Sequence, residues 1–138
     1  MLTSSQKQLF VATSVVLIVF IGFIAVLIQE FVIDTNPPSL VSVGYNPTPK
    51  VNTSLTIQVY VEDKSPIKVV EINYRIKQGE WISNEMRKYF IICCPPRFLL
   101  RLGPYNEAGI QVDFYFRIVD SQNNELITDT YSFEVIQA

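Results

Sequence analysis

Residues 10–28, FVATSVVLIVFIGFIAVLI, carry no charged side chain, and this run constrains the chain more than anything else in it. A helix of that length spans about 28 Å, close to the hydrocarbon thickness of a bilayer. Fourteen of the nineteen are Phe, Val, Leu or Ile. On a membrane-insertion scale they contribute on the order of −4 to −8 kcal/mol, which Thr13, Ser14 and Gly22 cannot reverse. Everything after Asp34 is polar, punctuated by proline and patterned like strands. The expected layout is a cytoplasmic N-terminus (1–9), a transmembrane helix (10–33), a short linker (34–38) and one β-sandwich (39–138).

The apolar run is longer than the core of a cleavable signal, and Gln29-Glu30-Phe31-Val32-Ile33-Asp34 offers no small-x-small cleavage site. An uncleaved anchor is the expectation, with membrane lipid as its surroundings. Lys7 and the α-amino group lie on one flank, Glu30 and Asp34 on the other. Positive charge stays inside, so the C-terminal domain is predicted outside the cell. A pilin-type leader is not expected, because Lys7 is followed by Gln8-Leu9 with no Gly or Ala junction. Gly22 and Ala25 form no G-x-x-x-G motif, and a lipid-facing helix is the favoured reading.

About a hundred residues remain, enough for one sandwich core. Net charge is −2 without a basic tail, so no nucleic-acid partner is expected. Arg75, Lys77, Arg87, Lys88, Arg97 and Arg101 alternate with apolar residues and read as the wet face of strands, with a basic patch for anionic headgroups as the alternative. Asn36-Pro37-Pro38 ends the membrane segment, and the short connection places the domain close to the bilayer. Period-2 rows then follow: Leu55, Ile57, Val59, Val61; Val70, Ile72, Tyr74, Ile76; Ile110, Val112, Phe114, Phe116, Ile118; Tyr131, Phe133, Val135. Leu40 to Tyr45 reads as a first strand, and Gln78-Gly79 as a hairpin turn leading into Trp81-Ile82. About seven short strands in an antiparallel two-sheet sandwich are predicted, with no helix beyond the anchor.

The chain has no histidine, which removes Ser-His and Cys-His pairs and most catalytic zinc or copper sites. No catalytic, cofactor or metal residues are assigned. Asp63, Asp120, Asn123 and Asn124 lie in predicted turns and offer oxygens to Ca²⁺ if their loops share one end of the sandwich; turn geometry alone explains such residues more simply. Cys93 and Cys94 are the only cysteines. They are buried free thiols, a strained bond between neighbours, or a bridge to another chain. Asn52-Thr53-Ser54 is an N-glycosylation sequon in a predicted outer loop. The apolar stretch Tyr89, Phe90, Ile91, Ile92 with Phe98, Leu99 and Leu100, together with Trp81, is the expected protein-binding surface. Tyr105 and Tyr115 add to the aromatic surplus.

One resemblance rests on Asn36-Pro37-Pro38, Thr56 to Asp63, Ile67 to Arg75, Gly79-Glu80-Trp81, Val112 to Asn124 and Tyr131 to Val135. Through these residues the segment after Asp34 resembles the immunoglobulin-like (fibronectin type III-like) modules of archaeal and bacterial surface proteins. It departs at residues 86–102, where Cys93-Cys94-Pro95-Pro96 replaces a polar turn. One anchor helix with one outward sandwich is also similar to the small stator-type subunits of the archaellum. The resemblance implies an immunoglobulin-like sandwich and carries little about function. The leading expectation is a non-enzymatic accessory subunit docked on other subunits of a membrane or envelope complex. The alternative is an independent surface-binding module, an adhesin, receptor or stator-like envelope binder.

Overall fold

The computed structural model describes residues 3–30, 33–89 and 96–138, in two units that divide after Ile33. The first unit holds one helix, α1 (Ser4–Glu30), of 27 residues or about 40 Å. It starts six residues before the charge-free run. Thr3 explains the early start: its Oγ1 accepts from Gln6 N at 3.3 Å, and its own N donates to Gln6 Oε1 at 2.9 Å. This reciprocal cap satisfies two otherwise unpaired donors. Every large apolar side chain from Leu9 to Ile24 is exposed, so the helix is apolar all round. The two hydroxyl side chains within the charge-free run turn back on the backbone. Thr13 Oγ1 donates to the Leu9 and Phe10 carbonyls, each at 3.0 Å, and Ser14 Oγ donates to the Phe10 carbonyl at 2.8 Å. By length and composition α1 is able to cross a membrane.

The second unit is all β, with nine strands in place of about seven. They are β1 (Ser39–Gly44), β2 (Leu55–Glu62), β3 (Ile67–Ile76), β4 (Ile82–Glu85), β5 (Arg87–Tyr89), β6 (Arg97–Leu102), β7 (Gln111–Asp120), β8 (Glu125–Ile127) and β9 (Tyr131–Glu134). One sheet runs β1-β2-β6-β5; the other runs β4-β3-β7, with β8 and β9 both on the free edge of β7. Every pairing is antiparallel. The alternating rows face one shared core. Leu55, Ile57, Val59 and Val61 come from β2, Val70 and Ile72 from β3, and Val112, Phe114, Phe116 and Ile118 from β7. Two sheets closed over one apolar layer make a sandwich-like domain.

Three local features depart from the sequence expectation. The β3–β4 turn centres on Lys77 and Gln78, both with positive φ (50° and 58°), while Gly79 N bonds Ile76 O at 2.9 Å. The turn therefore sits one residue earlier than Gln78-Gly79 suggests. Met86 marks where the chain leaves one sheet for the other; it is buried, and its N donates to Val70 O at 2.8 Å. The last strand is broken in two by Thr128, whose N donates to Phe116 O while its Oγ1 accepts from Phe116 N, both at 3.0 Å. A side-chain hydroxyl thus stands in for a backbone acceptor, and β8 and β9 become separate short strands. Residues 47–51 also cross from β1 to the opposite sheet's edge, where Ile136 N donates to Pro49 O at 2.9 Å and Val51 N to Ile136 O at 3.0 Å.

Thr128→Val keeps the shape and removes that acceptor, leaving the Phe116 N–H without a partner. A loss of about 1–3 kcal/mol is expected, read as a lower urea midpoint at unchanged slope for the full chain in non-ionic detergent. An unchanged midpoint means water replaces the hydroxyl.

Candidate functional site

The β2–β3 turn (residues 63–66) and the β7–β8 turn (residues 121–124) meet at one end of the sandwich, joined by Ser121 N donating to Pro66 O at 2.8 Å. Three carboxylates converge there: Asp34, Asp63 and Asp120, with one oxygen of each lying within 4.8 Å of the others. Asp120 ends β7 and is fully buried; Asp34 and Asp63 are half-buried. Above them opens a cleft of about 790 Å³, bordered by Asp34, Glu62, Asp63, Lys64, Ser65 and Lys88 among others.

Five of the six carboxylate oxygens have donors. Asp34 Oδ1 accepts from Asn36 N at 3.1 Å, and its Oδ2 from Ser65 Oγ at 2.9 Å. Asp63 Oδ1 accepts from Lys64 N at 2.8 Å. Asp120 Oδ1 accepts from Gln122 N and Asn124 N, each at 2.8 Å, and its Oδ2 from Asn124 Nδ2 at 2.7 Å. The sixth, Asp63 Oδ2, is shut off from solvent and has no hydrogen-bond partner among the described residues.

Electrostatics follow this inequality. Burial pushes the Asp63 carboxyl above its ordinary pKa, and the Asp120 contact and the charges of Asp34 and Asp120 add to the rise, against the Lys64 N–H. Burial opposes the charge of Asp120 as well. There the donors on Asn124 and Gln122, with the Asp63 contact, prevail and hold it below the usual carboxylate range.

Of the residues expected to offer turn oxygens, Asp63 and Asp120 do meet. Asn124 serves instead as a donor, its Nδ2 also reaching the Asp34 carbonyl at 2.8 Å. Asn123, with φ 66°, accepts from Lys68 Nζ at 3.0 Å. The member that sequence reading missed is Asp34, remote in sequence; its place just before Asn36-Pro37-Pro38 was the available signal.

The residues of the expected protein-binding surface that the structure describes are distributed as follows. Phe90, Ile91, Ile92, Cys93 and Cys94 lie outside the described residues. Phe98 is a core residue, 3% exposed, because it continues the inward row of β6; its ring is not available to a partner. Leu100 packs against the same core from that row, and Leu99 points the other way, half-buried. Tyr89 is exposed on the edge strand β5. Trp81 belongs to the opposite sheet, at the approach to β4. It is 42% exposed, meets Tyr115 edge-on at 5.0 Å, and carries the Arg75 guanidinium 4.7 Å over its ring. Arg75 is further held by Asp113 at 3.0 Å, and Lys77 pairs with Glu107 at 3.2 Å. Tyr105 is half-buried against Phe133, with burial raising its hydroxyl pKa to about 12. Asn52 is exposed in a left-handed turn (φ 58°) ahead of β2, its N donating to Tyr105 O at 2.7 Å.

No protein-family model matches the chain. No curated protein matches it either. Solved structures align with it at low identity. CopC from Methylosinus trichosporium OB3b aligns at TM-score 0.50 and 13% identity, over 72% of this chain and 94% of that one. The carbohydrate-binding module BhCBM56 aligns at 0.49 and 11%, over 73% and 96%. The superoxide reductase (neelaredoxin) from Ignicoccus hospitalis aligns at 0.49 and 11%, over 73% and 81%. The CopC match supports a small all-β sandwich fold, and at this identity it speaks to fold alone.

A carboxyl with a raised folded pKa lowers stability as pH climbs from its unfolded to its folded value; the lowered Asp120 contributes stability above the ordinary carboxylate pKa and loses it as pH falls through its own. Asp63→Asn removes the first effect, while Asp120 keeps the Asn124 and Gln122 donors that are the larger causes of its lowering. In EDTA, the melting temperature of the variant relative to the native chain should rise between about pH 3 and pH 7. A constant difference across that range would mean that Asp63 titrates normally.

Proposed function

We propose that this chain is a non-enzymatic, single-pass membrane protein whose helix lies in the bilayer and whose immunoglobulin-like ectodomain docks on a larger membrane or cell-envelope complex. The observation that carries the reading is α1. It exposes apolar side chains on every side, satisfies Thr13 and Ser14 against its own backbone, and has the length of a bilayer span. Orientation follows the flanking charges, with the N-terminus inside and the sandwich outside. The immunoglobulin-like assignment is supported by strand order. With β1 to β3 as A to C, β4 as C′, β5 to β7 as D to F, and β8 with β9 as a divided G, the two sheets read ABED and C′CFG.

A second reading, an independent surface-binding module, draws on Trp81. Its ring, backed by Tyr115 and Arg75, forms an exposed aromatic platform suited to stacking against an envelope polymer or another protein.

Native electrophoresis of gently solubilised membranes, with mass spectrometry of the band, separates these. A large particle with constant companions is expected. Migration alone, near 15.8 kDa plus detergent, overturns the subunit reading. Co-sedimentation with isolated envelope polymer that is lost in Trp81→Ala would then establish the second.

A further inference from the structure

The two outer faces of the sandwich treat their arginines differently. On the face of β3 and β7, Arg75 pairs with Asp113 at 3.0 Å, and Arg117 with Glu71 and Glu125 at 3.0 and 2.8 Å. On the outer face of the β1-β2-β6-β5 sheet, Arg87, Arg97 and Arg101 have no carboxylate partner among the described residues.

Register gathers these three. Phe98, Leu100 and Leu102 of β6 turn to the core, so Arg97, Leu99 and Arg101 turn out. Arg87 lies opposite Leu99 and therefore diagonal to both β6 arginines, at about 7–8 Å, within reach of long side chains. Like charges so placed repel one another. Only Glu62, at the end of β2, is acidic among the outward positions of these strands, although the chain as a whole carries a net charge of −2.

The neighbours of the arginines are those of a protein contact. The Arg97 guanidinium lies 4.8 Å over the Tyr60 ring, and its Nε is shut off from solvent without an acceptor. Tyr89 stands across from Arg97 on β5, and Leu99 fills the space between Arg97 and Arg101. Arginine and tyrosine are enriched at protein interfaces, where lysine is depleted, and no lysine points outward from these four strands. Surfaces that hold anionic headgroups gather about four to eight Lys and Arg, more than this face has. A guanidinium fork matches a carboxylate with two parallel hydrogen bonds.

We propose that the outer face of the β1-β2-β6-β5 sheet docks on an acidic surface of a companion protein, with Arg87, Arg97 and Arg101 donating to its Asp or Glu side chains. This rests on the docking reading above and names the surface that does it. Four strands spaced at about 4.8 Å and six residues long cover roughly 400 Å², about half of one partner's share in a standard interface. The face therefore supplements other contacts, and its contribution is sensitive to salt.

The test uses the full chain in gently solubilised membranes. In about 150 mM NaCl, Arg87→Glu with Arg101→Glu should lower the yield of companions per chain about tenfold. Lys68→Glu with Lys77→Glu, the same charge change on and beside β3, should leave it unchanged. Arg87 and Arg101 are exposed and unpaired among the described residues, so their variant should melt with the native chain; should it not fold, Arg87→Gln with Arg101→Gln replaces it. Arg101→Lys treated with a carbodiimide then reads the partner's chemistry. An amide between the introduced amine and an Asp or Glu of a companion, formed with loss of water, is expected in the peptide spectrum. Companions retained by both Arg87/Arg101 variants, or no such amide, overturn the proposal while the docking reading stands. A native chain that migrates alone overturns both. Protection of Arg87 and Arg101 from phenylglyoxal in vesicles of the purified chain with phosphatidylglycerol, and not with phosphatidylcholine alone, assigns the face to headgroups and also overturns it.

Discussion

The β domain depends on one strand. β7 is ten residues long, pairs with β3 along nearly all of it, and carries β8 and β9 on its other edge. Its inward row, Val112, Phe114, Phe116 and Ile118, is fully buried against the row of β2 from the facing sheet. Each such side chain contributes roughly 1.5–3 kcal/mol on leaving water. Phe114 is also the hub of an aromatic group, edge-on to Tyr45 at 5.1 Å and stacked on Tyr131 at 5.5 Å. Tyr45 follows β1 and Tyr131 begins β9, so this ring ties both ends of the domain to its centre. The outer face of β7 is bound electrostatically: Arg117 joins Glu71 at 3.0 Å and Glu125 at 2.8 Å, linking β3, β7 and β8.

The acidic corner is a product of that strand as well. β7 runs on to Asp120 because Ile67 pairs with it across β3, and the turn beyond then closes over its carboxylate. The buried charge of Asp120 is stabilised by three donors, so the cost of crowding carboxylates falls on Asp63. Fold and site share a cause: the end of the sandwich's central strand fixes where negative charge collects.

The rows of alternating apolar residues were legible because each strand buries one face, and a one-residue slip would bury Gln58, Arg75 or Arg117 instead. The apolar helix was legible from length and charge alone. What escaped was set by single hydrogen bonds and not by periodicity. Thr128 splits the final strand through one hydroxyl, and the Lys77-Gln78 turn places two non-glycine residues at positive φ where the adjacent glycine invited the reverse assignment. Phe98 looked like surface because Phe98-Leu99-Leu100 is apolar on both faces; only pairing with β2 reveals which residues point inward. Asp34 could not be joined to Asp120 by any local rule, since 86 residues separate them and the contact arises only on folding.

Asp34 is the first residue beyond the helical unit, and it is fastened before any strand begins. Its carboxylate holds Asn36 N and Ser65 Oγ, and its carbonyl holds Asn124 Nδ2. Tension transmitted along the chain from the N-terminal side therefore meets these three bonds before it reaches the β1–β2 ladder. The corner is thus a mechanical stop: pull is delivered to the turns after β2 and β7, and β1 is shielded from being peeled away residue by residue.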